Sequence, residues 1–353
     1  MTKITEEKVA REAGVSKASV SRFFNPRETE RLRPGTKARI LPVVEKYGFE
    51  PERRVVVKRK HKTGVFGLMV SFSTDIVESW YHSRIFSGII ASMERSDYDL
   101  RLIPVRDEDY LNIRRFLQRY LIDGMFILTW RSHPNLIKLV EAFSKPFPLI
   151  LFNDYDPKTQ AHFVYCDVSW GMEKAVEFLV KKERKKIAFL KGPFYNRVGH
   201  GEGAIHVESL DSMDKFRGFR KALKAHGLEA RPGWLLDCSC YSREEGHKRA
   251  EGLFGRHERP DAILCSNDAL ALGALDHLKE RGIACPEEVA VIGFDGVKEG
   301  EYANPPLTTV VQPLKEMGEE AGKQLIALAE GRMTGGGYTQ IRFKPELVIR
   351  KSA

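Results

Sequence analysis

Long apolar runs are missing from this 353-residue chain: no stretch of eighteen consecutive apolar residues occurs, so no segment is suited to cross a bilayer as a helix. The opening residues, Met1-Thr2-Lys3-Ile4-Thr5-Glu6-Glu7, lack the apolar core of a signal peptide. Cysteine is scarce as well. Five are present, Cys166, Cys238, Cys240, Cys265 and Cys285, an odd number without a Cys-x-x-Cys pair, which argues against a disulfide framework or a structural zinc site and for reduced thiols. Cys238 and Cys240 are spaced as on one face of a strand. A soluble, cytoplasmic chain with no membrane association is expected. Also lacking are a phosphate loop, Gly-x-Gly-x-x-Gly, HExxH and Gly-x-Ser-x-Gly. No catalytic residue and no cofactor is expected, and an enzyme is not.

What is present is a lopsided charge. The formal net charge is +9, and residues 1–62 carry all of it, with 17 Lys/Arg against 8 Asp/Glu. The remaining residues hold 40 basic and 40 acidic side chains, which cancel. A basic head on a neutral body is the footprint of a module that binds a polyanion.

Within that head, Thr5 suits a helix N-cap, and Glu6 and Glu7 suit the positive end of a helix. Val9, Ala10 and Ala13 fall at helical spacing, and Gly14 stands where a left-handed turn residue is wanted. Ser16 can cap a second helix whose inward face is Ala18 or Ser19, Val20, Phe23 and Phe24. Two short helices joined by a tight glycine turn predict a helix-turn-helix, whose second helix reads the DNA major groove. Lys17 and Arg22 can donate to guanine, Ala18 can touch a thymine methyl, and Ser16, Ser19 and Ser21 can bond phosphates. A phosphate contact or a solvated position stays open for Arg22, and a structural one for Ser21.

From Thr63 short apolar runs alternate with amphipathic stretches: Val65–Val70, Leu100–Val105, Gly124–Thr129, Leu149–Phe152, Ile187–Leu190, Ala262–Cys265 and Val289–Phe294. Buried strands alternating with helices predict α/β architecture with parallel sheets. About ten such units exceed one small sheet, so two Rossmann-like lobes with a ligand in the cleft at the strand ends are expected.

Val9-Ala10, Ala13-Gly14-Val15-Ser16 and Ser19-Val20-Ser21-Arg22 with Asn25 resemble the head of the lactose-repressor (LacI) family. The likeness continues through Leu32–Ile40 to Tyr47-Gly48-Phe49-Glu50-Pro51, the family's third helix and exit. It covers nearly the whole chain, through Ile122-Asp123-Gly124, Ser266-Asn267-Asp268, Ile292-Gly293-Phe294-Asp295, Pro305–Val310, Gln312-Pro313 and Pro345–Ser352. The resemblance implies a helix-turn-helix head (1–50), a hinge (51–62) and a two-lobed, periplasmic-binding-protein-like effector domain (63–353). Its lobes are expected at about 63–162 plus 294–323 and about 163–293 plus 324–353. It further implies a transcriptional repressor that, as a homodimer, binds double-stranded operator DNA under control of a small effector, with a sugar or sugar derivative expected. Thr5 and Asn25 join the expected DNA-binding residues.

Several positions depart from the family pattern. Pro42 lies inside the third helix, where a kink or an altered start is expected. After Pro51 the family's Asn, Ala-Arg and Leu are replaced by Glu52 to Lys58 with three valines, which favour extended structure. Arg53 and Arg54 suggest phosphate contacts, while a minor-groove wedge formed by one of the valines stays open. Asp268 and Asp295, each after a strand, are implied to face the effector, with a helix-cap role open for the first and a loop-ordering role for the second. Asn153 stands where the family often has Asp, and Lys215 where it usually has Arg. Trp80, Tyr81 and Trp130 offer rings for sugar stacking, with core packing equally open to them. Residues 194–213 look like an insertion beside the cleft; His200 and His206 within it match no standard metal spacing, and no metal is expected. A solute-binding protein would need a leader and no basic head. An enzyme using Asp268 and Asp295 as an acid/base pair lacks a nucleophile or cofactor site. A regulator whose body serves only for dimerisation stays open.

Overall fold

The computed structural model describes residues 5–24, 29–47, 49, 62–70, 79–104, 120–128, 140, 147–198, 205–255, 258–333 and 337–353. The chain divides into two units, Met1–Val56 and Val57–Ala353. The expected hinge, with Arg53, Arg54 and the valines, lies outside the described residues, as do Asn25, Trp130 and His200.

Among the described residues the first unit has three α-helices: α1 (Glu6–Glu12), α2 (Lys17–Phe23) and α3 (Pro34–Tyr47). The side chain of Thr5 caps α1 by accepting from the Lys8 N–H, and Ser16 caps α2 by accepting from the Ser19 N–H at 3.1 Å. Gly14 takes φ +62° between them, a conformation that strains a residue with a side chain. Val9, Ala10, Ala13, Val20, Ile40 and Phe49 form the buried centre. Ala18 is exposed and Ser19 half-buried, so the inward face of α2 is Val20 with Phe23 and Phe24. Pro34 occupies the first position of α3, where its fixed φ suits a helix start. Pro42 sits inside α3 without ending it; the N–H it lacks leaves one turn short of a bond.

In the second unit the strands are β1 (Val65–Val70), β2 (Asp99–Pro104), β3 (Gly124–Ile127), β4 (Leu149–Phe152), β5 (His162–Cys166), β6 (Ile187–Lys191), β7 (Tyr195–Val198), β8 (Ile205–Glu208), β9 (Leu235–Asp237), β10 (Ala262–Cys265), β11 (Ala290–Asp295), β12 (Thr308–Val311), β13 (Gln340–Phe343) and β14 (Glu346–Val348). Among the described residues its helices are α4 (Trp80–Met93), α5 (Val168–Lys181), α6 (Leu210–Ala225), α7 (Arg243–Phe254), α8 (Asp268–Glu280) and α9 (Leu314–Ala329). One sheet has the order β13-β5-β4-β3-β1-β2, the other β14-β12-β11-β10-β6-β9. All pairings in the two are parallel except β12 with β14. β3, β4, β6 and β10 are buried along their whole length, which explains why they read as unbroken apolar runs.

Strand pairing moves the lobe boundaries. β5 pairs with β4, so the first crossing follows Cys166 instead of residue 162. β11 and β12 pair with each other and stay in the second sheet. The chain then returns to the first lobe, where α9 packs on α4 and β13 pairs with β5. The lobes are therefore about 63–167 plus 313–343 and about 168–312 plus 344–353, in place of the ranges expected from the resemblance. Residues 194–213 are not one insertion: β7 and β8 form an antiparallel hairpin, and α6 begins at Leu210. β9 ends at Asp237, so Cys238, buried, and Cys240, exposed, lie beyond it and share no strand face. All five cysteines are free thiols. Among the described residues no helix is long and apolar enough to cross a membrane.

Candidate functional site

Two sets of residues invite a ligand, one in each unit. In the head, Ser16, Lys17, Ala18 and Arg22 are exposed on α2, and Ser19 and Ser21 are half-buried. The Ser16 hydroxyl bonds that of Ser19 at 2.9 Å, so it serves the cap and points with the first turn. Lys17 reaches back to Glu7 on α1 at 2.5 Å. That ammonium holds the Glu7 carboxyl below its usual range, and both groups are solvent-exposed, so the pair is easily exchanged for a phosphate or a base edge. Arg39 of α3 donates to the Gly14 carbonyl at 3.2 Å and fixes the turn. The two helices of the motif are thus held together through their apolar side, with the start of α2 free to face outward.

In the second unit, polar groups gather where the carboxyl ends of the two sheets meet. From the first lobe, Asn153 follows β4 with φ +47°, a left-handed conformation that Asn tolerates. Its Oδ1 accepts from the Cys166 N–H at 3.0 Å and its Nδ2 donates to the Tyr81 hydroxyl on α4. From the second lobe, α6 presents Asp211 and Lys215 one turn apart, with Nζ to Oδ2 at 2.9 Å. Lys215 is 3% exposed, and its ammonium also lies 4.4 Å from the centre of the Phe294 ring. Asp295 ends β11 at φ +108° and accepts from Gln312 Nε2 at 2.8 Å. The Asp211 N–H donates to Asp154 Oδ1 at 3.0 Å, a hydrogen bond from one lobe to the other. A cavity of about 60 Å³ remains beside this junction, bordered by Asn153, Asp154, Cys166, Asp167 and Asp211 among others. That holds about two waters; a sugar needs the lobes to open.

The electrostatics mark one coupled cluster. Burial works against the Lys215 charge, but Asp211 and Asp295 outweigh it and hold the ammonium above its usual range. Burial pushes the Asp295 carboxyl up to about 6; Lys215 pulls it down and Asp211 pushes it up. Burial, then Asp211 and Asp295, raises the Tyr81 hydroxyl. Tyr241 exposes part of its ring, but its hydroxyl, 2.6 Å from that of Ser212, is enclosed; that enclosure raises it and Lys215 lowers it. Gln312 Oε1, beside Asp295, is buried and has no hydrogen-bond partner.

The structure brings Tyr81, Asn153, Lys215 and Asp295 together. It does not place Asp268 with them. Asn267, not Asp268, caps α8, accepting from the Leu270 N–H at 2.9 Å. Asp268 is fully buried, and its carboxylate accepts from the Gly296 and Val297 N–H groups at 2.7 and 2.6 Å and from the Thr309 hydroxyl at 2.5 Å. Its task is to hold the loop that follows Asp295. Burial, then the neighbouring Asp295, pushes its carboxyl up to about 7 against those three donors. Asp154, Asp211, Tyr241 and Gln312 escaped the sequence reading as site residues. The four-residue spacing of Asp211 and Lys215 was the one available signal; Tyr241 carried none. Trp80 is half-buried against the core.

Residues 7–52 match the family described as bacterial regulatory proteins, lacI family, and residues 176–353 match the periplasmic binding protein-like domain. The HTH-type transcriptional repressor PurR of Haemophilus influenzae (strain PittEE) is 26% identical over 351 residues, covering 99% of this chain and 98% of that one. Among solved structures, a transcriptional regulator CelR–cellobiose complex superposes with a TM-score of 0.73 at 24% identity, over 99% of this chain and 100% of that chain. The lac repressor dimer bound to operator and the anti-inducer ONPF superposes with a TM-score of 0.66 at 20% identity, over 99% of both.

Proposed function

Because the chain belongs to the lacI family of bacterial regulatory proteins and is a DNA-binding transcription regulator, we propose that it is a repressor whose operator affinity is set by a carbohydrate bound between the two lobes of its body. The observation that carries the effector class is the polar cluster where the sheets meet. Tyr81 and Asn153 from one lobe face Asp211, Lys215 and Asp295 from the other. Carboxylates, a buried ammonium and the unpartnered Gln312 Oε1 together offer both acceptors and donors, the set that matches vicinal hydroxyls. Lys215 in place of Arg gives a point charge without a bidentate fork. The CelR–cellobiose complex has the same fold. Acid/base chemistry by Asp268 and Asp295 finds no support, since Asp268 is enclosed and its oxygens are committed.

On the DNA side, Lys17, Ala18 and Arg22 read base edges from the first turns of α2, while Thr5, Ser16, Ser19, Ser21 and Asn25 position the head on phosphates. Arg53 and Arg54 add phosphate contacts. A homodimer sets two heads on a near-palindromic operator. Effector occupancy of the cleft biases the lobes between arrangements that differ in operator affinity.

The test is a thermal-shift screen of the full chain against sugars, sugar phosphates, polyols and nucleobases. A ligand at 100 times its Kd stabilises the folded state by about 2.7 kcal/mol. A sugar hit that disappears in Asp295→Ala, while operator binding persists, supports the reading. A nucleobase hit replaces the effector class. No hit from the panel favours a body that serves only for dimerisation, a reading to which the small residual cavity lends weight.

A further inference from the structure

On the outer side of the second lobe, away from the cleft cluster, α7 and α8 cross in close contact. Two glycines set the spacing: a Cβ on Gly246 would lie 2.2 Å from the Leu270 carbonyl oxygen, and one on Gly273 would lie 1.9 Å from that of Arg243. Backbones this near bring side chains from both helices to one point. There His247 of α7 meets His277 and Glu280 of α8, the latter two on one face three residues apart. One ligating atom from each of the three lies within 4.8 Å of the others. His247 Nε2 and Glu280 Oε2 are 2.7 Å apart, and the two imidazole rings meet edge to face at 5.1 Å.

We propose that His247, His277 and Glu280 form a binding site for a borderline divalent transition-metal ion of the zinc type. Two imidazoles and a carboxylate are the donor set such ions prefer, whereas magnesium and calcium favour all-oxygen shells. His277 supplies the independent sign. It is 2% exposed, and its Nε2 is buried with no hydrogen-bond partner. A buried nitrogen left unpaired costs free energy that a bonding partner returns. A tetrahedral ion with bonds of about 2.0–2.1 Å holds its donors about 3.3 Å apart, so His247 Nε2 and Glu280 Oε2 would part slightly from 2.7 Å while His277 closes in from within 4.8 Å, shifts within the reach of side-chain rotation about the fixed helices. Three protein ligands leave a fourth position for water, and a solvent-open depression of about 670 Å³ lined by Arg243, Glu244, Asp276 and Lys279 adjoins the site. The ion would clamp α7 to α8. No sequence spacing announces the site, because His247 and His277 are brought together only by the helix crossing.

The experiment titrates Zn²⁺ into the tag-free, full-length protein by calorimetry, with Co²⁺ as a spectroscopic substitute and Mg²⁺ as a control. Saturable uptake of one Zn²⁺ per chain, a Zn²⁺-dependent rise in Tm and no response to Mg²⁺ are expected. His247→Ala and Glu280→Gln, both at accessible positions, should each weaken Zn²⁺ binding by more than about tenfold and abolish the Tm response. His277→Gln should do the same, but its burial makes the other two the decisive variants. If the wild type takes up no Zn²⁺, or if His247→Ala and Glu280→Gln leave uptake unchanged, the cluster is an ion pair packed on a core histidine and the proposal fails.

Discussion

Asp268 commits its carboxylate to three donors inside the second lobe. Asp268→Ala orphans two backbone N–H groups and a buried hydroxyl, and the expected destabilisation is roughly 2–4 kcal/mol, read as a lowered Tm. The same variant should lose any effector response, because the loop after Asp295 loses its anchor. Asp295 titrates differently from an exposed carboxyl. Its folded-state pKa lies near 6, above the ordinary value of 3.8. A raised carboxyl stabilises the fold most below its unfolded-state value, and that contribution is lost as pH rises through about 6. The Tm of the ligand-free protein is therefore expected to fall between pH 4 and about 7, and Asp295→Asn should flatten that stretch. An unchanged profile in the variant would assign the slope to other groups, Asp268 foremost, whose carboxyl is raised to about 7.

Elements were the most legible level of the sequence. The glycine turn, the serine cap and the apolar spacing of α1 and α2 follow from local rules, and the structure realises each of them. Gly14→Val forces a β-branched residue to φ +62°, at a cost of roughly 1–2 kcal/mol. In a small head this should abolish operator binding in a gel-shift assay while leaving effector-induced stabilisation of the body intact. Strands buried on both sides announced themselves as apolar runs. β5, β9, β12 and β13 did not: β5 mixes buried with half-buried positions, the exposure of β13 alternates, β9 has three residues, and β12, although mostly buried, opens with Thr308 and Thr309. The lobe boundaries were misplaced for that reason. The cleft cluster was half legible. Asn153, Lys215 and Asp295 stand at strand ends or on a helix that resemblance can align, whereas Tyr241 reaches the site only through tertiary folding.

For the whole molecule, the concentration of positive charge in the first 62 residues predicts a steep dependence of operator affinity on salt. Each phosphate contact adds about 0.9 to the slope of log K against log salt. Replacing both Arg53 and Arg54 by Ala should lower the slope by about 2 if both touch phosphate; an unchanged slope places them off the DNA. If an effector enters between the lobes, small-angle scattering with and without it should report a less compact body when the cleft is occupied, because the cleft described here leaves only about 60 Å³.

The return of the chain to the first lobe at residue 313 also bears on how the protein is made. β13 and α9 complete the first sheet and cover α4, yet they leave the ribosome after nearly all of the second lobe. The second sheet waits for β14, later still. The head can fold early, but neither lobe can finish until synthesis has passed β13 and β14, and apolar faces meant for α9 stay uncovered until Leu314–Ala329 has emerged. A chain cut short before residue 313 is expected to sediment as aggregate, so premature termination yields insoluble protein and no free, unregulated DNA-binding head.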